Sequence, residues 1–479
     1  MSLHQNTLSR ALTSYKLLNS QWNELCKRYL PIIVPDSIWR YSRNGSGTDL
    51  SQGWKLHVAA TILSAVRVFE AVAPLLTERN VWFKAPVSLN ELEHLNRGTD
   101  YGYMQVGKFL TVYPRSPEEA VALALDLHER TRRIPCPQIP FDLRYGNDSC
   151  VFYRYGAFQS LEIEDSNGKS IDVLRDPDGN PIPDKRDSVF IPEWEPNPFP
   201  SARGNTSKQV TQLETTFKAF RAFAQRGKGG VYHAVDFSVS PARLCVIKQG
   251  RRHGEVSWDG RDGRSRVKHE KHVLTSLNCA GLPVPRVYSS FRSKHDYFLV
   301  VEYVEGENLH DWLRRRKRRL SIATALKRSA EVARMVARIH ETGWVWRDCK
   351  PNNLIVTKNG KLRPLDFEGA CQINKPDPLP WSTPGYSPPR PKDHFSDESQ
   401  VPEDLYALGV IIYLLLAGRL PDESETIPLE NMRKNVPESI IQLVSQLLDP
   451  KPQARTNART VARRIEAALQ SISRVRVAA

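Results

Sequence analysis

The sequence has little that would cross-link a fold or carry it through a membrane. Its seven cysteines (Cys26, Cys136, Cys150, Cys245, Cys279, Cys349 and Cys371) are odd in number and scattered, with no C-x-x-C pair. That pattern argues against a disulfide framework or a zinc site and leaves reduced, mostly buried thiols as the expectation. Long apolar runs are missing too. "LGVIIYLLLAG" at 408 to 418 is too short to span a bilayer, and the opening "MSLHQNTLSRALTSYKLL" lacks the apolar core of a signal peptide. The expectation is a cytoplasmic protein with no membrane span.

What is present is a chain of 479 residues, 40% of them hydrophobic, enough for two or three globular domains with proper cores. Lysine and arginine number 68 against 53 acidic residues, a formal charge of +15. Such an excess favours an anionic partner: nucleic acid, lipid headgroups, a phosphopeptide or an acidic peptide. The densest basic run, "WLRRRKRRL" at 312 to 320, reads as a solvated helix or loop face. No nucleic-acid-binding signature accompanies it, so nucleic acid is not expected as a partner.

Patterning divides the chain into four parts. Residues 1–50 carry helical periodicity and form an N-terminal extension. Residues 51–160 alternate strand, helix, strand, strand, helix, strand, a small α+β unit. Its second helix is well marked by Ser116 as N-cap, Pro117 at the first helical position and Glu119 three residues after the cap. Residues 161–206, with "DPDGNPIPD" and "EWEPNPFP", read as a linker. Residues 207–474 place strands first, near 231–237, 242–249 and 297–303, and helices later, the order of a small sheet-rich lobe followed by a larger helical one.

The second half carries the sharper spacings. In "VWRDCKPNNLIV", Asp348, Lys350 and Asn353 stand at positions 0, +2 and +5, and Asp366 in "PLDFEGA" follows 18 residues after Asp348. Phosphoryl transfer needs a carboxylate to orient and deprotonate the accepting hydroxyl and further oxygens to hold magnesium on the triphosphate. Asp348 suits the first task; Asn353 and Asp366 suit the second. Taken with "LCVIK", "VKHEKHVLTSL", "LVVEYVEGENL" and "EDLYALGVIIYLL", these motifs resemble the protein kinase superfamily in order and spacing. The resemblance implies a bilobal fold and use of ATP (or GTP) with Mg2+. It makes Lys248 the lysine on the phosphates, Glu270 its partner, Glu302 and Val304 the hinge toward a purine, and Asp404 a brace behind the catalytic loop.

Some positions depart from that pattern. In "AQRGKGGVYHAV", Gly227, Gly229, Gly230 and Val231 are available to the loop over the phosphates, but Ala224 and Arg226 stand where the first two glycines are usual. Glu368 replaces the glycine after Asp366 and Phe367, Trp346 the histidine before Arg347, and Arg390 a glutamate, which puts an ion pair with Arg455 in doubt. None of these changes removes a catalytic group, so an active kinase is expected.

In the first half, "GWKLHVAAT" alternates so that Trp54, Leu56 and Val58 face one way and Lys55 and His57 the other. Lys84, Lys108, Arg144 and Arg154 follow on short strands or beside aromatic residues. A pocket lined by these would be strongly cationic and suited to phosphate. A neutral lysine there could take the α-proton of a phosphoserine while a protonated histidine protonates the departing phosphate, a β-elimination without metal or water. Crowding by like charges would help to neutralise the lysine, and a bound phosphate would oppose that effect.

"GWKLHVAAT", "FKAP", "GKFLTVYP", "DLRYG" and "YRYGAF" resemble the phosphoSer/Thr lyase domain of class III and IV lanthipeptide synthetases, and "DFEGA" resembles that family's magnesium motif. By motif position, His57 would be the general acid and Lys84 the base, with Lys108 the alternative base. Lys55, Lys108, Arg144 and Arg154 would bind phosphate. The implied fold is a small α+β lyase-like domain followed by a bilobal kinase, and the implied substrate is a precursor peptide. The family's C-terminal cyclase is not seen in the sequence, so a separate cyclase, spontaneous ring closure or a product without rings is expected. Two further readings stay open: a protein kinase whose basic first domain binds phosphopeptides, and a scaffold with both sites inactive.

Overall fold

The computed structural model describes residues 3–159, 161–164, 168, 170–199, 215–381, 383–389, 395–396, 398–422, 429–449 and 456–478. Arg390, Arg455 and the end of the expected linker, from residue 200 on, lie outside them.

Helix α1 runs Leu3–Tyr29 and is followed by two short strands, β1 (Ile32–Ile33) and β2 (Trp39–Tyr41). After them come β3 (Gln52–Ala59), α2 (Ala65–Glu78), β4 (Trp82–Pro86), α3 (Leu89–Arg97), β5 (Lys108–Tyr113), α4 (Pro117–Thr131), β6 (Leu143–Arg144) and β7 (Val151–Ala157). The strands form one seven-stranded sheet in the order β1-β2-β4-β5-β3-β7-β6, antiparallel throughout. Ser116 caps α4 as its sequence suggests, accepting from the Glu119 N–H at 3.2 Å. The Glu119 carboxylate turns instead to the Arg115 N–H and guanidinium. Helix α3 was not anticipated between the second and third strands.

Leu56 and Val58 of β3, Phe83 of β4 and Val112 of β5 bury completely with Phe69 of α2. Trp22 of α1 meets Phe69 edge-on at 5.0 Å and Phe109 at 5.3 Å. At about 25 cal/mol per Å² of apolar surface, this layer supplies much of the force that closes α1 and α2 on the sheet. The opposite face is left for the polar residues. The stretch read as a linker contributes a further three-stranded antiparallel sheet: β8 (Glu162–Glu164), β9 (Ser170–Arg175) and β10 (Pro181–Pro183).

The second half opens with a five-stranded antiparallel sheet of β11 (Phe217–Arg226), β12 (Gly229–Asp236), β13 (Arg243–Gly250), β14 (Val287–Ser293) and β15 (Asp296–Glu302), in the order β11-β12-β13-β15-β14. Helix α5 (Gly263–Cys279) packs beside it. A helical lobe follows, built on Ile322–Glu341, Val401–Ala417, Glu438–Leu448 and Ala458–Ala478. Its core, which includes Leu408, Ile411, Val444 and Ile465, is continuous with Val273 and Leu277 of α5.

The two halves touch through named contacts. The Trp258 indole N–H donates to Glu93 at 3.1 Å and its ring meets Tyr15 of α1 at 5.0 Å. The Gly227 N–H donates to the Arg97 carbonyl at 3.1 Å. Six of the cysteines are buried and free, and Cys279 is exposed. Among the described residues no helix is long and apolar enough to cross a membrane.

Candidate active sites

In the second half, Lys248 lies on β13 and Glu270 on α5, and their side chains meet at 2.6 Å. The same ammonium is 3.2 Å from Asp366. Burial favours protonated Glu270 and disfavours its charge, but Lys248 itself is held well above the ordinary lysine value because Asp366 and Glu270 outweigh its own desolvation. Asp366 is driven below the carboxylate range, its burial overcome by Lys248 and Lys228. Asp366 keeps φ at +60°, a left-handed backbone for a non-glycine residue and a sign of a site held by its surroundings.

Asp348 is buried. It accepts from Lys350 at 2.8 and 2.9 Å, from the Thr383 hydroxyl at 2.9 Å and from the Asn353 amide at 2.8 Å. Burial and the nearby Asp366 raise its pKa, with Lys350 opposing. Asn353 spends its N–H groups on Asp348, so its amide oxygen is the atom that can serve a cation. Together with Asp366 this is an oxygen donor set that fits magnesium, and Lys248 fits a phosphate. Asp404, fully buried, accepts from the Trp346 N–H at 2.8 Å, the Arg347 N–H at 2.6 Å and His340 at 2.9 Å, bracing the loop from behind. Trp346, in place of the usual histidine, donates to the Asp366 carbonyl at 2.9 Å and stacks on Phe367 at 5.3 Å.

At the hinge, the Glu302 N–H is already committed to the Arg286 carbonyl and its carboxylate to Arg363, while Val304 follows β15 in a buried position. Gly229 and Arg226 pair across β11 and β12, so Gly227 and Lys228 form a two-residue turn. A side chain at Gly229 would strike the Gln249 carbonyl, its Cβ falling 1.7 Å from that oxygen. Gly230 lies against Tyr232, and Val231 pairs with Lys248 across β12 and β13.

In the first half, cross-strand pairing builds one transverse row: Tyr41, Lys84, Thr111, His57, Phe152 and Arg144. Residues directly opposite in neighbouring strands share a face, so Lys84 and His57 flank Thr111 about 10 Å apart at the backbone. Lys55 pairs with Arg154 one step along. Lys108 joins them through a bulge: Val58 faces Leu110 but Ala59 faces Lys108, and the extra residue Phe109 turns toward α1 and α2.

Two carboxylates that sequence reasoning missed organise this face. Asp142 lies 2.5 Å from His57 Nδ1 and 3.8 Å from Lys108. Opposite an ionised carboxylate, Nδ1 carries a hydrogen, and Nε2 is the position free to exchange a proton. Asp184, just after β10, accepts from Arg154 at 2.5 Å and from Arg186 at 3.0 Å. Lys55 extends over Gly156, where a Cβ would lie 2.9 Å from its Cε, and donates to the Ala157 carbonyl at 2.8 Å. Lys84 sits over the Trp39 ring at 4.5 Å. Arg144 ends the row, donating to the Ser149 carbonyl at 2.7 Å and lying over Phe152 at 5.3 Å.

Burial sets the protonation states. It lowers Lys84 to about 8, with Arg186 and Lys108 adding to the effect. Lys55 and Lys108 are lowered chiefly by burial and also by Arg154. His57 is lowered to about 3 by burial, and the opposing pull of Asp142 does not offset it. Asp142 and Asp184 stay ionised below the ordinary range, the surrounding cations outweighing their burial. The arrangement offers cations for an anion, neutral lysine as a base and a histidine with an oriented ring.

Comparison with known proteins matches these two regions separately. Residues 33–211 match the family model described as "RamC, N-terminal domain", and residues 226–464 match "Protein kinase domain". The chain is 32% identical over 389 residues to a "Probable SapB synthase" of Streptomyces coelicolor, covering 77% of this chain and 40% of that protein. It is 26% identical over 226 residues to "Serine/threonine-protein kinase PknA" of a Nostoc species, covering 45% and 39%. It is also 30% identical over 211 residues to "3-phosphoinositide-dependent protein kinase 1" of Arabidopsis thaliana, covering 40% and 42%. The chain spans about two-fifths of the length of these relatives.

Proposed function

For a chain that joins a RamC N-terminal domain to a protein kinase domain, we propose a bifunctional dehydratase acting on serine and threonine of a peptide. The kinase domain phosphorylates the hydroxyl, and the N-terminal domain eliminates the phosphate to leave a dehydroamino acid. The observation that carries this reading is the pair of His57 and Asp142 set in a buried cationic face with Lys84 two strands away.

In the kinase half, Lys248 would hold the nucleotide phosphates, and Asn353 and Asp366 would hold magnesium, which would supply positive charge to neutralise the transferring phosphoryl group. Asp348 orients the accepting hydroxyl and takes its proton. Lys350, already on Asp348, follows the charge. In the other half, Lys55, Lys108, Arg154 and Arg186 attract the phosphate. Neutral Lys84 takes the α-proton, the electron pair forms the Cα=Cβ bond, and the Cβ–O bond breaks as His57 Nε2–H protonates the leaving phosphate. His57 needs that proton, and a bound phosphate dianion supplies the opposite charge that raises its pKa. A peptide is the proposed substrate, in line with the synthase named among the relatives, and any cyclisation is assigned to another step.

A second reading, a protein kinase whose N-terminal domain only binds phosphopeptide, is favoured by the low pKa of His57, which leaves the ring neutral. Incubation of the protein with a candidate peptide, ATP and magnesium separates the readings by intact mass. Loss of one water per site supports the dehydratase, gain of one phosphate supports the kinase alone, and an unchanged mass supports a scaffold.

A further inference from the structure

The backbone of the turn Gly227-Lys228 is held by residues of both halves of the chain. The Gly227 N–H is bonded to Arg97 of α3, and a Cβ on Gly227 would fall 1.7 Å from the Asn96 carbonyl. The Lys228 carbonyl accepts from the Arg251 N–H at 2.8 Å, and a Cβ on Gly263 would lie 1.9 Å from that same oxygen. With its main chain so enclosed, the turn has only one long group to extend toward the nucleotide region, the Lys228 side chain.

That side chain does extend there. Its ammonium pairs with Glu368, the residue in place of the usual glycine after Asp366 and Phe367, and lies 5.7 Å over the Trp381 ring. The Glu368 side chain is largely enclosed, with Arg266 at 3.7 Å, and its Oε1 makes no hydrogen bond among the described residues. Asp366 is close enough for the two charges to stabilise each other. Meanwhile Ala224 and Arg226 stand where two glycines would otherwise bring backbone N–H groups to the phosphates.

We propose that Lys228 is a phosphate-binding residue of the nucleotide site, and that Glu368 is its internal partner, which the nucleotide phosphates displace. The proposal rests on the phosphotransfer reading above. Lys228 replaces main-chain donors with a point charge, and Glu368 holds that charge at the magnesium motif.

Calorimetric titration of the full chain with magnesium and a non-hydrolysable ATP analogue tests it, with adenosine as the phosphate-free control. Lys228→Ala should weaken the analogue by about tenfold or more, the worth of one charged hydrogen bond, and leave adenosine unchanged. Lys228→Arg should restore most of the affinity. Glu368→Gln should bind the analogue more tightly than the native chain, because the competing carboxylate is gone. Unchanged binding in Lys228→Ala overturns the proposal. So does equal weakening in Lys228→Ala and Glu368→Gln, since that is the result of a structural strut. A native chain that binds no magnesium–nucleotide overturns the phosphotransfer reading itself, whereas a native chain that phosphorylates peptide beside an equally active Lys228→Ala overturns this assignment alone.

Discussion

His57 Nδ1 and Asp142 Oδ2 lie 2.5 Å apart, though 85 residues separate them in the chain. The carboxylate fixes one imidazole tautomer and one ring orientation, the arrangement a histidine needs to deliver or accept a proton at Nε2. His57→Ala should slow elimination from a synthetic phosphopeptide by about 10²- to 10⁴-fold, the usual worth of general acid–base catalysis. Phosphorylated peptide should then accumulate when ATP is supplied. Asp142→Asn should slow the same step while leaving phosphorylation intact; phosphopeptide mass spectra over time measure both.

The pH profile distinguishes the base. Lys84 must be neutral and His57 protonated, so elimination should follow a bell-shaped pH profile, with the lysine ionisation, its pKa lowered to about 8, setting one inflection. Lys84→Arg should abolish this ionisation and most of the rate. A profile that keeps its inflection in Lys84→Arg but loses it in Lys108→Arg would assign the base to Lys108.

Stability should depend on pH through the same histidine. His57 binds its proton only near pH 3 in the folded chain, against about 6.5 for an unperturbed imidazole, so the unfolded chain holds more protons between those values. This group's contribution is fully present above about 6.5 and is lost as pH falls toward 3. Denaturant melts of the native chain and His57→Gln should converge across that window as the pH is lowered.

Asp348→Ala should leave the peptide unmodified, with phosphorylation reduced by about 10²-fold or more, yet dehydrate phosphopeptide supplied directly. Mixing it with His57→Ala should restore dehydration if phosphopeptide passes between molecules. Intact-mass measurement of the peptide reads each case.

Asp404→Ala strands the Trp346 and Arg347 N–H groups in a buried loop. At about 1–3 kcal/mol for each unsatisfied donor, it should cost roughly 2–6 kcal/mol and lower the melting temperature of the kinase half. Circular dichroism melts check it.

Legibility followed the range of the signal. The kinase cluster was readable because Asp348, Lys350, Asn353 and Asp366 keep fixed local spacings, and α4 because Ser116 and Pro117 mark its start. Helix α3 announced itself in the same way, with Ser88 capping the Glu91 N–H and Gly98 in a left-handed conformation at its end, but its short amphipathic run was passed over. Asp142 and Asp184 had no local signature. Their roles come from sheet order and from the hairpin of β9 and β10 folding over the cationic face, and proline-rich sequence there suggested only a bridge. Periodicity predicted which residues of β3 share a face, but it could not reveal the bulge in β5.

That bulge makes the count of residues in β5, as much as their identity, a determinant of the site. If β5 kept Phe109 but alternated strictly from Leu110, Phe109 would turn to the cationic face and Lys108 to the side of Trp22 and Phe69, placing an ammonium in an aromatic layer and withdrawing it from Asp142. A change that irons out the bulge while leaving every charged residue in the sequence would thus dismantle the cationic cluster, with an unchanged set of functional side chains and one of them facing the wrong way.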